Sequence, residues 1–431
     1  MKRIYSILIR SGIIFLPILF FINFSYAPAP GCENRQQPDN TDLNRTITND
    51  LSNEPSLYGL DERIRRYMRK WNIQGASLSI MRNDSLVYSK GYGWADKEND
   101  LLMEPGNIMR IASVSKLITA VGIMVLREKG KLSLNDTVFG PHGILDDSTY
   151  TSVIKDKNYY KITVEELLRH EAGFTRRYGD PMFSTRYVIM QSHLDGAPDH
   201  NTLLRCVLKK PLSYVPGTSR YYSNFGYLLL SMIIEKISGT DYESFIQENV
   251  LHKAGCSDMQ IAGNRYCDKY DNEVKYYMQP NDEAVYKYDN SGEKVARCYG
   301  GNDITALSGA GAWVASTPEL ARFIASIDGK PEIPDIINAE SIHEMTKWID
   351  KKTYALGWID TKPDGEWTRT GTLSGTSALV KYYPDGECWI MVTNTSTWKG
   401  PLQTRYTSSL FKSSRALYSV LLPKKNLFSA E

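Results

Sequence analysis

No apolar run after Phe21 is long enough to cross a membrane, so no spanning segment is expected beyond the N-terminus. There is little charge of one sign. With 51 Lys+Arg against 49 Asp+Glu the net charge is +2, and basic residues occur only in short pairs such as Lys209-Lys210 and Lys424-Lys425. Nucleic acid and acidic surfaces are therefore not expected partners. The six histidines are dispersed without ligand spacing, and no Gly-rich phosphate loop, zinc-binding helix pair or calcium loop occurs. Neither a metal nor a cofactor is expected. The six cysteines are few for 431 residues, so a disulfide framework does not define the fold. Cys256–Cys267 or Cys267–Cys298 could clip a tyrosine-rich stretch, or the cysteines could be small buried thiols.

The N-terminus has the pattern of an export signal. Lys2, Arg3 and Arg10 precede the apolar run from Ile13 to Ile22, and Ala27-Pro28-Ala29 offers small residues for cleavage. Cys32 directly after Gly31 suggests a lipoprotein signal, with a lipid anchor at Cys32. Residues 1–31 are thus expected as a signal peptide. Residues 32–57 are expected as a flexible tether, because the polar stretch from Glu33 to Pro55 has little apolar surface to bury. An exported protein, periplasmic or membrane-anchored, follows.

The chain beyond is long enough for a large core and an inserted unit. Asp61 to Trp71 reads as an amphipathic helix with Ile64, Tyr67 and Met68 on one face. Gly75–Met81 and Ser85–Gly91 read as a strand pair turned at Arg82-Asn83-Asp84. Helical and loop patterns dominate from about Leu134 to Glu319, and Asp258 to Asp303 reads as loops over a cleft rim. Strand signals return at Tyr354–Ile359, Trp367–Thr370, Ser377–Tyr382 and Cys388–Thr393, followed by a helix over about 402–421. Strands at both ends with helices between them predict an α+β fold. One antiparallel sheet, flanked by helices, is assembled from the two ends of a 58–431 domain, with a helical insertion at about 134–319.

The chemistry concentrates at Arg110-Ile111-Ala112-Ser113-Val114-Ser115-Lys116. A Ser-x-x-Lys spacing at the start of a helix puts the Lys116 amine beside the Ser113 hydroxyl, because i and i+3 share a face. Unpaired N–H groups of the first turn favour negative charge there. Ser113 is the candidate nucleophile. Downstream come Tyr222-Ser223-Asn224 after Pro216-Gly217, and Arg369-Thr370-Gly371-Thr372 on a strand. Supporting landmarks are Ile162–Phe174, with Leu168-Arg169-His170-Glu171-Ala172-Gly173, and Gly309-Ala310-Gly311-Ala312-Trp313.

These motifs in this order resemble the serine β-lactamase and penicillin-binding-protein superfamily, most closely its class C β-lactamase and D-alanyl-D-alanine carboxypeptidase branch. The resemblance spans roughly Leu60 to Leu421. It implies a cleft between sheet and helical region, an acyl-enzyme on Ser113, and Lys116 and Tyr222 as the proton-handling pair. It implies substrate contacts from Asn224, Arg369, Thr370, Gly371 and Thr372, with the Ser113 and Thr372 N–H groups as oxyanion hole. Arg369 stands where Lys is usual in this family's Lys-Thr-Gly. It keeps the charge, adds a fork suited to a substrate carboxylate, and could lower the Tyr222 pKa. Gly371 would let a substrate approach the strand. The implied partner is a small-molecule or peptide substrate, a peptidoglycan stem peptide or β-lactam. The alternatives are a carboxylesterase of the same family, or a non-catalytic penicillin-binding, sensor or interaction module. His170 reads as a structural loop residue, Glu165 and Glu166 as charges at a helix start, and Trp313 and Trp358 as core or cleft wall.

Overall fold

The computed structural model describes residues 42–174, 177, 179–350, 353–396 and 402–429. The expected signal peptide and Cys32 lie outside the described residues.

Helix α1 (Tyr58–Trp71) buries Leu60, Ile64, Tyr67 and Met68 and ends at Asn72 in the left-handed region. It covers a hairpin of β1 (Gly75–Arg82) and β2 (Ser85–Asp96). The hairpin turns tightly because Asn83 and Asp84 both adopt positive φ, 44° and 58°, which Asn and Asp tolerate. A two-residue β3 (Leu101–Leu102) edges the sheet. The C-terminal strands are β4 (Asp360–Thr361), β5 (Trp367–Leu373), β6 (Thr376–Tyr382) and β7 (Glu387–Thr393). The seven-stranded antiparallel order is β3-β2-β1-β7-β6-β5-β4, so β1 joins β7 and the two ends of the chain meet in one sheet. Strands β1, β6 and β7 are buried along nearly their whole length, because helices lie on both faces. One face packs against α1 and the C-terminal helix (Leu402–Tyr418), where Trp389 meets Phe411. The other packs on the large core that holds the nucleophile helix (Ser115–Glu128) and the helices Asn224–Ser238 and Thr317–Ala325.

Several expectations change. The segment 42–57, read as tether, is folded onto the body as a short helix (Asp42–Thr46) and two 3₁₀ turns. Asn44 donates to Asp258 and Glu319, Asn49 accepts from the Gly91 N–H at 2.7 Å, and Ile47 and Leu57 are buried. A few apolar anchors and these polar contacts dock the segment together, which its mainly polar composition does not show. Tyr354–Ile359 is not a strand. It crosses the nucleophile helix, and a Cβ at Gly357 would lie 2.8 Å from that of Ala120. Of this stretch only Ile359 reaches β5, its N–H donating to the Thr368 carbonyl at 3.0 Å, and the ladder itself begins at Asp360–Thr361. Cys256 and Cys298 are free buried thiols, so neither candidate clip forms. Asp258–Asp303 carries a short strand (Gln260–Ile261) and a small hairpin (Val285–Tyr286 with Lys294–Val295) among loops.

Candidate active site

Ser113 sits in a 3₁₀ turn (Ala112–Val114) that runs straight into the nucleophile helix. From Ile108 to Leu126 every other residue is buried and Ser113 alone is partly exposed. The turn is strained, since Ala112 holds a φ of +50° that a Cβ-bearing residue rarely adopts. Long-range bonds hold it in place. The Ile111 N–H donates to the Trp313 carbonyl at 3.0 Å, Thr376 Oγ1 to the Arg110 carbonyl at 2.6 Å, and Arg369 Nε to the Ser113 carbonyl at 2.7 Å.

One turn further on, Lys116 is fully buried. Its amine donates to Asn224 Oδ1 at 2.7 Å, to Ser113 Oγ at 3.3 Å and to the Ala310 carbonyl. Burial lowers its pKa to about 8; the Tyr222 charge opposes this shift and Arg369 adds to it. Tyr222 also sits at about 8. Burial alone would raise it, but the Lys116 and Arg369 charges and the Ser113 hydroxyl together outweigh that effect. An amine and a phenol that both titrate at about 10 in water are thus lowered together, toward neutral pH, beside one hydroxyl.

Asn224 starts its helix, capped by Ser223 Oγ. A residue absent from the sequence reading fixes its amide. The Asp180 carboxylate accepts from the Asn224 N–H at 2.6 Å and from Nδ2 at 3.2 Å, which leaves Oδ1 for Lys116. Although the residue is only half-buried, its carboxylate faces inward, and burial raises its pKa. Asp-Pro at 180–181 is legible as a helix-start signal, but nothing local tells of its reach to Asn224. His170, at φ +61°, stacks on Tyr222 with ring centroids 4.3 Å apart. Burial, aided by Lys116 and Arg369, pushes its pKa well below the usual histidine value. The ring is therefore neutral and accepts the Ser223 N–H at Nδ1. It positions the Tyr222–Asn224 loop, in keeping with a structural role. Thr163 and Glu166 form a capping box, and Trp313 and Trp358 are core.

On β5, Arg369 and Gly371 are buried while Thr370 and Thr372 are half-buried on the alternate face. Arg369 is only 1% exposed, and its NH2 donates to Tyr222 Oη at 3.0 Å. It offers no open fork for a substrate carboxylate, contrary to the sequence expectation. Gly371 also works differently from expectation. A Cβ there would lie 2.2 Å from the Ile111 carbonyl oxygen and 3.1 Å from the Ser113 nitrogen. The bare backbone admits the nucleophile turn rather than a substrate, and brings the Ser113 N–H against β5 beside Thr372.

The Beta-lactamase family model matches residues 60–410. Protein flp of Staphylococcus aureus (strain COL) is 23% identical over 351 residues, covering 80% of this chain and 63% of that protein. The chain therefore spans under two thirds of that relative's length. Among solved structures, the octameric penicillin-binding protein homologue from Pyrococcus abyssi superposes with a TM-score of 0.62 at 22% identity, covering 86% of this chain and 78% of that one. D-alanine carboxypeptidase AmpC from Burkholderia cenocepacia gives 0.62 at 18% identity, covering 83% and 99%. With the α+β sheet, the Ser-x-x-Lys turn and the Tyr-x-Asn loop in one cluster, and the family model over most of its length, the chain belongs to the Beta-lactamase family.

Proposed function

We propose that this protein is an exported serine hydrolase that cleaves an amide or ester bond through an acyl-Ser113 intermediate. One observation carries the reading: Lys116 and Tyr222, both near pKa 8, flank Ser113 Oγ under the field of Arg369. In this mechanism the Lys116–Tyr222 pair, having lost one proton, takes the Ser113 proton as Oγ attacks the carbonyl carbon. The oxyanion that forms lies between the N–H groups of Ser113 and Thr372. Tyr222 then passes the proton to the leaving nitrogen or oxygen as the bond to it breaks. A water enters, gives its proton to the same pair and attacks the acyl carbon, and Ser113 Oγ leaves with that proton. Asn224 holds Lys116 and, with Thr370, lines the substrate side of the cleft. The substrate class is a peptidoglycan stem peptide, a β-lactam or a related ester. The buried Arg369 favours the carboxylesterase alternative, because the usual anion grip at this strand is turned inward. The reading includes residues 1–31 as signal peptide, a lipid anchor at Cys32 and a 58–431 catalytic domain, supported by the N-terminal sequence pattern.

Intact-protein mass spectrometry with a β-lactam and a chromogenic ester tests it. A mass adduct that forms and decays during turnover is expected, absent in Ser113→Ala. Turnover by Ser113→Ala within about tenfold of the parent, a barrier change of about 1.4 kcal/mol, overturns the covalent mechanism.

A further inference from the structure

A cavity of about 500 Å³ lies between the segment after Asp180 and the small hairpin of the tyrosine-rich stretch. Its lining includes Arg186, Lys294 and Arg297 and no Asp or Glu. In a chain with balanced charge, three cations without a lining carboxylate set this place apart. Arg186 and Lys294 both stand over the Tyr286 ring, at 4.7 and 5.4 Å from its centroid, so two like charges converge on one side chain. Two polar atoms in the lining residues are buried without an acceptor, Arg186 Nε and Nδ2 of Asn302. Asn302 is itself only 7% exposed. Buried donors normally have an acceptor, and converging cations favour an anion between them.

Both walls are tied to the neighbourhood of Ser113. On one side, Asp180 binds Asn224 and caps the turn that leads to Phe183 in the lining. On the other, the Cys298 carbonyl accepts Arg110 NH1 at 2.7 Å, just ahead of the nucleophile turn. Asn302 then leads along the chain to Ala310, whose carbonyl holds Lys116.

We propose that this cavity is an anion-binding subsite that receives an oxyanion group of the substrate, a carboxylate or a phosphate, through Arg186, Lys294, Arg297 and Asn302. Recognition of charge is thereby separated from the buried Arg369, which acts on Tyr222. The assignment of the anion to a substrate rests on the acyl-Ser113 reading; binding itself does not.

The test uses the full chain as Ser113→Ala, which binds without turnover. Calorimetry compares N-acetyl-D-alanyl-D-alanine, its methyl ester and glycerol phosphate as probes. Either anion should bind at least about tenfold more tightly than the neutral ester, and the tighter of the two names the source of the group. Adding Arg186→Gln and Arg297→Gln should erase that preference. The exposed Lys294→Gln, which threatens the fold least, should reduce it severalfold. With Ser113 restored, the same substitutions should raise KM for an anionic substrate at least severalfold more than KM for its neutral ester. Equal binding of acid and ester, no binding of either anion at millimolar concentration, or a preference that survives the substitutions overturns the proposal. Failure of the wild type to form an acyl-enzyme, with anion binding intact, would remove only the hydrolase reading.

Discussion

Around Ser113, the Lys116 amine has an acceptor in each of three directions and Arg369 is bound to Tyr222 and the nucleophile turn. In the neighbouring cavity, Arg186 and Asn302 keep donors with no acceptor at all. The first region is saturated; burial of Lys116, and the cations beside Tyr222, lower both pKa values to about 8. The second is unsaturated and its charges are turned outward. A saturated network is organised to move a proton; an unsaturated one is organised to hold a ligand. The same residue type, arginine, serves both ends according to what surrounds it.

The largest break in this contrast comes from the saturated side. Lys116→Ala and Tyr222→Phe should each slow acylation by about two orders of magnitude or more, the scale of acid–base groups. The double variant should be far from additive, because both serve one proton path. Single-turnover rates decide, and clean additivity would mean two separate paths.

Arg110 joins the two regions. Its guanidinium holds the Cys298 and Gly263 carbonyls at 2.7 and 2.8 Å and lies 4.3 Å from the Tyr276 ring centroid. Arg110→Ala should cost about 2–3 kcal/mol of stability, since it removes charged hydrogen bonds to buried carbonyls. Urea unfolding measures this, and an unchanged midpoint would show that the tyrosine-rich stretch holds itself in place.

Arg369→Gln sharpens the division of labour. It should lower kcat/KM about tenfold on anionic and neutral substrates alike, within the range of one charge-assisted hydrogen bond. Removing a cation makes the Lys116–Tyr222 pair hold its proton more tightly, so the rise of acylation with pH, centred near 8, should move to higher pH. A selective loss on anionic substrates with an unmoved pH limb would return carboxylate recognition to Arg369. The smallest effect is expected at Asp180→Asn. Without a pure acceptor the Asn224 amide is free to turn over, and activity should fall severalfold, about 1 kcal/mol. A fall in kcat with KM unchanged marks it as a positioning residue, and Asp180→Glu should restore part of the rate.

Much of the fold was legible along the chain. The face of Asp61–Trp71 follows a period of 3.6 and the strand around Thr370 a period of 2, while Asn83-Asp84 shows as turn residues and the strands around Val380 and Ile390 as short apolar runs buried on both faces. Tyr354–Ile359 misled because its apolar residues are buried against the nucleophile helix, and burial against a helix or within a sheet selects the same residue types. The docked segment 42–57 misled for another reason, since its few apolar anchors, Ile47 and Leu57, are joined by polar contacts with Gly91, Asp258 and Glu319 that lie far away in sequence.

The sequence by itself determined that the Ser113 hydroxyl and the Lys116 amine are neighbours, because residues three apart share one face of a helical turn. It determined the tyrosine and asparagine on either side of the Ser223 cap of the helix Asn224–Ser238, and the strand that carries the third cation. Only the tertiary structure decided what that cation does. Whether Arg369 faces a substrate or Tyr222 depends on where β5 lies against Ile111–Ser113, and that distance is set by the missing Cβ of Gly371. The tertiary structure likewise chose Asp180 to orient Asn224 and gathered Arg186, Lys294 and Arg297 around one cavity. Local geometry fixes which atoms can be neighbours within a turn. The partners of a charge across the fold fix its pKa and its function, and no period in the chain records them.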